Sequence, residues 1–166
     1  MQFSSVSCAS AGNCSAGGSY LGSSSLSKPF VVNEVNGTWH TAIEVPGMAA
    51  LTTGSVFSEV VSLSCSSAGN CSAGGWYTDS SDHTQPFVVD EVNGTWHNAI
   101  KVPGITTLNQ DGDAAINAMS CAPRAAATPS GSTPTALSTV SCSWSSEADC
   151  VGVSPQPVTA SIMRVT

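Results

Sequence analysis

A period of 57 residues runs through this chain of 166. Cys8 recurs as Cys65, Cys14 as Cys71, Trp39 as Trp96 and Pro46 as Pro103. From Cys8 to Gly47 the chain matches Cys65 to Gly104 at 29 of 40 positions without a gap. Identity of that degree is the mark of a duplication. Units repeated in this way bury their apolar faces against their neighbours rather than alone.

Within a unit, turn signals divide four short runs. The first holds Val6-Ser7-Cys8 and Leu63-Ser64-Cys65. The second runs from Cys14 to Tyr20 and from Cys71 to Tyr77, the third is Pro29–Val32 and Pro86–Val89, and the fourth runs from Trp39 to Val45 and from Trp96 to Val102. Gly, Ser and Val are poor or stiff in helix interiors, so these runs favour strands. Asn36-Gly37 and Asn93-Gly94 are hairpin signals, because both residues tolerate positive φ in a type I′ turn. The expected fold class is all-β, built from four-stranded antiparallel meander blades of a partial β-propeller. A β-sandwich is the alternative, though sandwich strands have no reason to repeat so strictly.

The run Ala68–Tyr77, followed by Gln85–Val89 and Asn93–Trp96, resembles a Cys-containing repeat of secreted proteins from high-GC Gram-positive (actinobacterial) bacteria. The third and fourth strands also resemble the extracellular HAF-type and kelch-like propeller repeats. The resemblance covers residues 4 to 122. It implies a propeller fold and export, and it implies no shared activity and no catalytic residue.

The units are expected at 1–57 and 58–114, with a degenerate or frame-shifted third unit at 115–166. That third unit starts normally, since Ala115–Cys121 is similar to the approach to Cys65, and then leaves the pattern. Two readings stand. In one, residues 115–166 form a divergent cap in which Cys142 and Cys150 make a loosened hairpin. In the other the reading frame has shifted: Thr133–Leu137, read one base over, can encode Tyr-Thr-Asp-Ser-Ser, the run at Tyr77–Ser81. A frame shift makes Cys142 and Cys150 accidental and leaves Cys121 unpaired.

Charge narrows the partners. The net charge is −7, and Lys28, Lys101, Arg124 and Arg164 are the whole basic complement. Phosphate backbones and anionic membranes need clustered Lys and Arg, so nucleic acid is excluded as a partner. No apolar run approaches the length of a membrane span. Seven cysteines at repeated spacings point to an oxidising compartment, extracellular or cell-surface. Met1–Ser4 runs directly into a strand without a signal-peptide pattern, so the chain is expected to be a piece of a longer secreted protein. Two blades also leave two apolar faces open, so neighbouring blades or self-association are expected to close the ring.

Cys8 with Cys14, and Cys65 with Cys71, flank tight hairpins and are expected to form disulfides. A loop of this size is worth about 2.4 kcal/mol in the chain-entropy model. Zinc is the rival, but it prefers closer cysteines and a nearby His with ligand spacing; no metal site and no cofactor are expected. Trp39 and Trp96, followed by His40 and His97, are candidates for a ligand platform for a glycan or a protein. Their recurrence in each unit also fits packing between blades. No nucleophile elbow, phosphate loop or paired carboxylates stand out. The functional expectation is a non-catalytic binding or scaffold module. The alternative is a glycan-processing, sialidase- or glycosidase-like propeller enzyme, for which Asp79, Asp82 and Asp113 are the candidate acids. A third possibility is a pseudogene-like piece with no function of its own.

Overall fold

The computed structural model describes residues 1–23, 25–52, 57–110, 112–122 and, as backbone, 142–145. The first sheet is a meander of β1 (Gln2–Ser10), β2 (Asn13–Leu21) and β3 (Ser27–Val35), whose free edge pairs with β4 (Thr38–Trp39) and β5 (Ile43–Glu44). A single helical turn, α1 (Met48–Leu51), leads toward the second sheet. There β6 (Ser58–Ser67), β7 (Asn70–Thr78), β8 (Thr84–Val92), β9 (Thr95–Trp96) and β10 (Ile100–Lys101) repeat the arrangement, followed by α2 (Ile105–Leu108). Finally β11 (Ala118–Cys121) pairs antiparallel with β12 (Cys142–Ser145). The fold is all-β, and the two larger sheets are open.

The turns follow from their residues. Asn36 and Gly37 both take positive φ, as do Asn93 and Gly94, which is the type I′ geometry. The fourth strand differs from the continuous run expected at Trp39–Val45 and Trp96–Val102. In the first sheet Glu34 faces Trp39 and Val31 faces Ile43, so residues 40–42 lie opposite only 32–33. One residue too many breaks the ladder, as in a bulge, and leaves two short strands. The second sheet does the same, with Glu91 facing Trp96 and Val88 facing Ile100.

Alternation along the strands and the register divide each sheet into two faces. On the first sheet, Phe3, Val6, Ala16, Gly18, Phe30, Val32 and Glu34 share one face, here the leading face. Ser5, Ser7, Ser15, Gly17, Val31 and Asn33 share the trailing face. The second sheet stacks its leading face onto that trailing face. Val31, Val45 and Met48 of the first unit join Val60, Leu63, Ala73, Tyr77, Phe87, Val89 and Trp96 of the second in one buried cluster. Burying each larger apolar side chain contributes about 1.5–3 kcal/mol.

The same step is taken again further along the chain. Val88, Val102 and Ile105, each 57 residues after Val31, Val45 and Met48, pack with Ile116 and with partly buried Ala114 and Met119. Polar contacts repeat with them. Ser5 Oγ accepts from Leu63 N (3.0 Å), and Ser62 Oγ accepts from Met119 N (2.9 Å). Ser7 Oγ accepts from Cys65 N (3.1 Å), and Ser64 Oγ accepts from Cys121 N (3.0 Å). β6 and β11 thus have edge N–H groups capped by serines of the unit before them, which meets the demand that backbone donors be satisfied.

The Gly-Gly pairs make this stacking possible. A Cβ on Gly17 would lie 2.8 Å from Val60 Cγ1, and one on Gly74 would lie 2.8 Å from Met119 Sδ and 3.0 Å from Ile116 Cγ2. Those glycines leave room for the next unit. Gly18 and Gly75 serve their own sheet: bulges in β1 and β6 bring the carbonyl oxygens of Gln2 and Glu59 to within 2.0 and 1.9 Å of where their Cβ atoms would stand.

Candidate functional site

The seam between the two sheets holds the one buried carboxylate among the described residues. Glu91 is 1% exposed, on the leading face of β8 opposite Cys71. It is met from the trailing face of the first sheet by two donors: Asn33 Nδ2 donates to Oε1 and Ser15 Oγ lies 3.3 Å from Oε2. The other half of the Asn33 amide is also engaged, since Trp96 Nε1 donates to its Oδ1 at 3.0 Å. One amide therefore clamps a carboxylate and an indole of the neighbouring sheet. Burial pushes the Glu91 pKa up, and the hydrogen bonds from Asn33 and Ser15 offset only part of that push.

Two open clefts follow the seam. One, of about 260 Å³, lies at the hairpin end between Asn13, Ser15, Glu34, Cys65, Ala68 and Glu91. The other, of about 370 Å³, is lined by Val32, Asn33, His40, Thr41, Thr95 and Trp96. Of the proposed platform residues, the second cleft brings together Trp96 and His40, which come from different units. Trp39 and His97 do not line either cleft. His40 and His97 are both exposed, each held by its backbone N–H on the carbonyl of Asn33 or Asp90 (2.8 Å). Trp96 is buried in the seam, whereas Trp39, at the same position in the first unit, is exposed.

Cys8 is bonded to Cys14 (S–S 2.04 Å) and Cys65 to Cys71 (2.08 Å), each pair directly opposite in register. Cys121 is also disulfide-bonded, against the frame-shift reading, which leaves it unpaired; its backbone partner in the β11–β12 ladder is Cys142. Cys150 lies outside the described residues.

Of the carboxylates considered for glycan chemistry, that of Asp79 organises its own loop. Asp79 Oδ1 accepts from the backbone N–H groups of Ser81 (2.9 Å) and His83 (3.1 Å), and Oδ2 accepts from Gln85 Nε2 (3.0 Å). Burial acts to raise its pKa, but these three donors outweigh it and hold the carboxyl below the usual range. The backbone of Asp82 takes positive φ, and that of Asp113 forms an isolated parallel β-bridge with Thr84. Among the described residues no group of three His, Cys, Asp or Glu is placed to hold a metal. No helix among them is long and apolar enough to cross a membrane.

Glu91, Asn33 and Ser15 were not singled out from the sequence. A signal existed: Asn33 against Asp90 is one of the few differences inside an otherwise identical stretch, Pro29–His40 against Pro86–His97. No family model matches the chain, and no curated protein matches it. What the fold and seam define is a class: disulfide-clipped β-meander units stacked face to face.

Proposed function

We propose that the chain is a secreted or cell-surface repeat module of the β-propeller type, working as a non-catalytic binding or scaffold element. The observation that carries this reading is the repeated stacking step. Ser5–Leu63 becomes Ser62–Met119, Ser7–Cys65 becomes Ser64–Cys121, and Gly17–Val60 becomes Gly74–Ile116. Four-stranded meanders related by one recurring step are how propeller blades are laid down. The resemblance to exported actinobacterial repeats points the same way, and the disulfides suit an oxidising exterior.

The ligand surface on this reading is the cleft between Trp96 and His40. It is concave and mixes apolar Val32 with polar Asn33, Thr41 and His40, a composition suited to a neutral glycan or an extended peptide segment. The test is a glycan array and a peptide panel probed with oxidised full chain, beside its His40→Ala variant. Binding that His40→Ala weakens supports the module and its cleft. A clean negative across both ligand classes counts against a binding role, and turnover of a glycoside panel replaces it with the enzymatic alternative.

A further inference from the structure

We infer that the leading face of the first sheet is a docking surface for a further repeat unit, and that the residue at the Asn33 position decides which unit is accepted. This rests on the reading of the chain as a stacked-blade module. The surface is defined by comparison with its twin. Phe3, Val6 and Trp39 are 59%, 64% and 48% exposed, while Val60, Leu63 and Trp96, in the same positions of the second sheet, are 0%, 5% and 8% exposed. The apolar base of the face is already assembled as a cluster of Ala16, Phe30 and Val32, with Phe3 set edge-on to Phe30 at 5.1 Å. Glu34 sits at the position of Glu91, opposite Cys14 as Glu91 is opposite Cys71, and paired with Trp39 as Glu91 is with Trp96.

The established seam says what covers such a face. It is a trailing face with two edge serines, a glycine hollow, a Ser at the Ser15 position and an amide at the Asn33 position. The two trailing faces of this chain are not equivalent. The first carries Asn33, which donates to one carboxylate oxygen of Glu91 and accepts from Trp96. The second carries Asp90 in its place, hydrogen-bonded by Ser72 at 2.5 Å. Asp90 has no N–H to offer, so it would set a second carboxylate against the one that Glu34 brings, and like charges at a desolvated contact are strongly disfavoured. The second trailing face is, besides, already occupied by Ile116 and Met119. The occupant is therefore a unit with the Asn33 type of trailing face. A head-to-tail second copy presenting Asp90 is rejected.

A chain with residues 1–57 repeated ahead of the full 166 tests this, because position 58 is the counterpart of position 1 and the join keeps the natural spacing. The original 166 residues are isotope-labelled, the added unit is not, and amide hydrogen exchange is followed by NMR. Val6 and Cys8 are the counterparts of Leu63 and Cys65, whose N–H groups Ser5 and Ser7 cap. Exchange at Val6 and Cys8 is expected to slow at least tenfold relative to the 166-residue chain. With Asn33→Asp in the added unit that protection is lost. Unchanged exchange in the extended chain overturns the docking surface, and equal protection with Asn33→Asp overturns the role of the amide. A second measurement does not depend on the added unit folding. In the 166-residue chain itself, Asn33→Asp is expected to speed exchange at Leu63 and Cys65 at least tenfold, while Asp90→Asn leaves both unchanged; no change with Asn33→Asp sinks the assignment. Failure here with ligand binding intact removes the docking surface and leaves the module reading standing.

Discussion

The two leading faces of this molecule are nearly the same in sequence and differ in fate at Phe3, Val6 and Trp39, which are exposed on the first sheet where Val60, Leu63 and Trp96 are buried on the second. In the second sheet the face is a wall of the core, with Val60, Leu63, Phe87 and Trp96 in one buried cluster. In the first sheet, Phe3, Val6 and Trp39 face outward. Strand order, register and disulfide position are shared between them. Among the described residues, the second face is covered by the trailing face of the first sheet, and no sheet covers Phe3, Val6 and Trp39. A repeat unit is thus a half-built interface, and its surface chemistry has meaning only in pairs.

Matched substitutions in the two faces break or sharpen that contrast. The largest gap is expected at the bulge glycines. Gly75→Ala drives a Cβ into the Glu59 carbonyl in a strand buried at the seam, and it should cost about 4 kcal/mol in urea unfolding. Gly18→Ala meets the Gln2 carbonyl in the same way, but Gln2 lies on the exposed end of β1 and can lift away. It should cost about 1 kcal/mol. Equal losses would mean that the bulge, not the seam, sets the penalty.

Next come the apolar counterparts Leu63 and Val6. Leu63→Ala empties a site in the seam cluster and is expected to lower stability by about 3 kcal/mol. Val6→Ala, on the open face, should shift the unfolding midpoint by less than about 0.5 kcal/mol. A substantial loss at Val6 would reveal that something already covers that face in solution, and light scattering of the same sample would identify self-association as the cause.

The tryptophans give a smaller contrast. Trp96→Phe keeps a ring in the cluster but removes the indole donor from Asn33 Oδ1, leaving only Ser15 Oγ at 3.2 Å, for about 1.5 kcal/mol. Trp39→Phe is expected to be neutral in the same urea-unfolding comparison. A matching loss at position 39 would show that the two indoles do equal work, against the structure.

The smallest effect is in the pH dependence, where Glu91 and Asp79 have opposite signs. Glu91 has a folded-state pKa above its unfolded one, so the folded chain holds the proton more tightly. Its contribution is greatest below the ordinary carboxylate pKa of about 4.3 and is lost as pH rises through the folded value. Glu91→Gln should flatten that fall. Asp79 is depressed, so its contribution is present at neutral pH and lost as pH falls through its folded value; Asp79→Asn should remove that loss. Parallel stability curves for wild type and Glu91→Gln would show that the buried carboxylate is relieved by some other route.

Much of the local structure was legible because it is written in short-range chemistry. Asn-Gly pairs specify type I′ turns, and the period marks equivalent strands without any knowledge of how they stack. The extra residue between Trp39 and Ile43 escaped notice because alternation shows which residues favour strand but not how many the partner strand can match. The Gly-Gly pairs fall inside the second strand in the sequence, with nothing nearby to say why glycine is needed there. In the fold, one glycine admits the next unit's Val60 or Ile116, and the other admits the bulged carbonyl of the strand paired with it.

The candidate site was the least legible part. Glu34 and Glu91 stand in matching stretches that differ only at Asn33 against Asp90, yet Glu91 alone is engaged by Asn33 and Ser15, which stand 58 and 76 residues away. Sequence by itself determined the repeat, the turns, the strand-forming runs and the proximity of each hairpin's cysteines, since all of these depend on residues close in the chain or on self-comparison. Tertiary structure alone decided which face is core and which is surface, and which of two identical glutamates is buried, because burial is set by what the neighbouring sheet places against a residue and not by the residue itself.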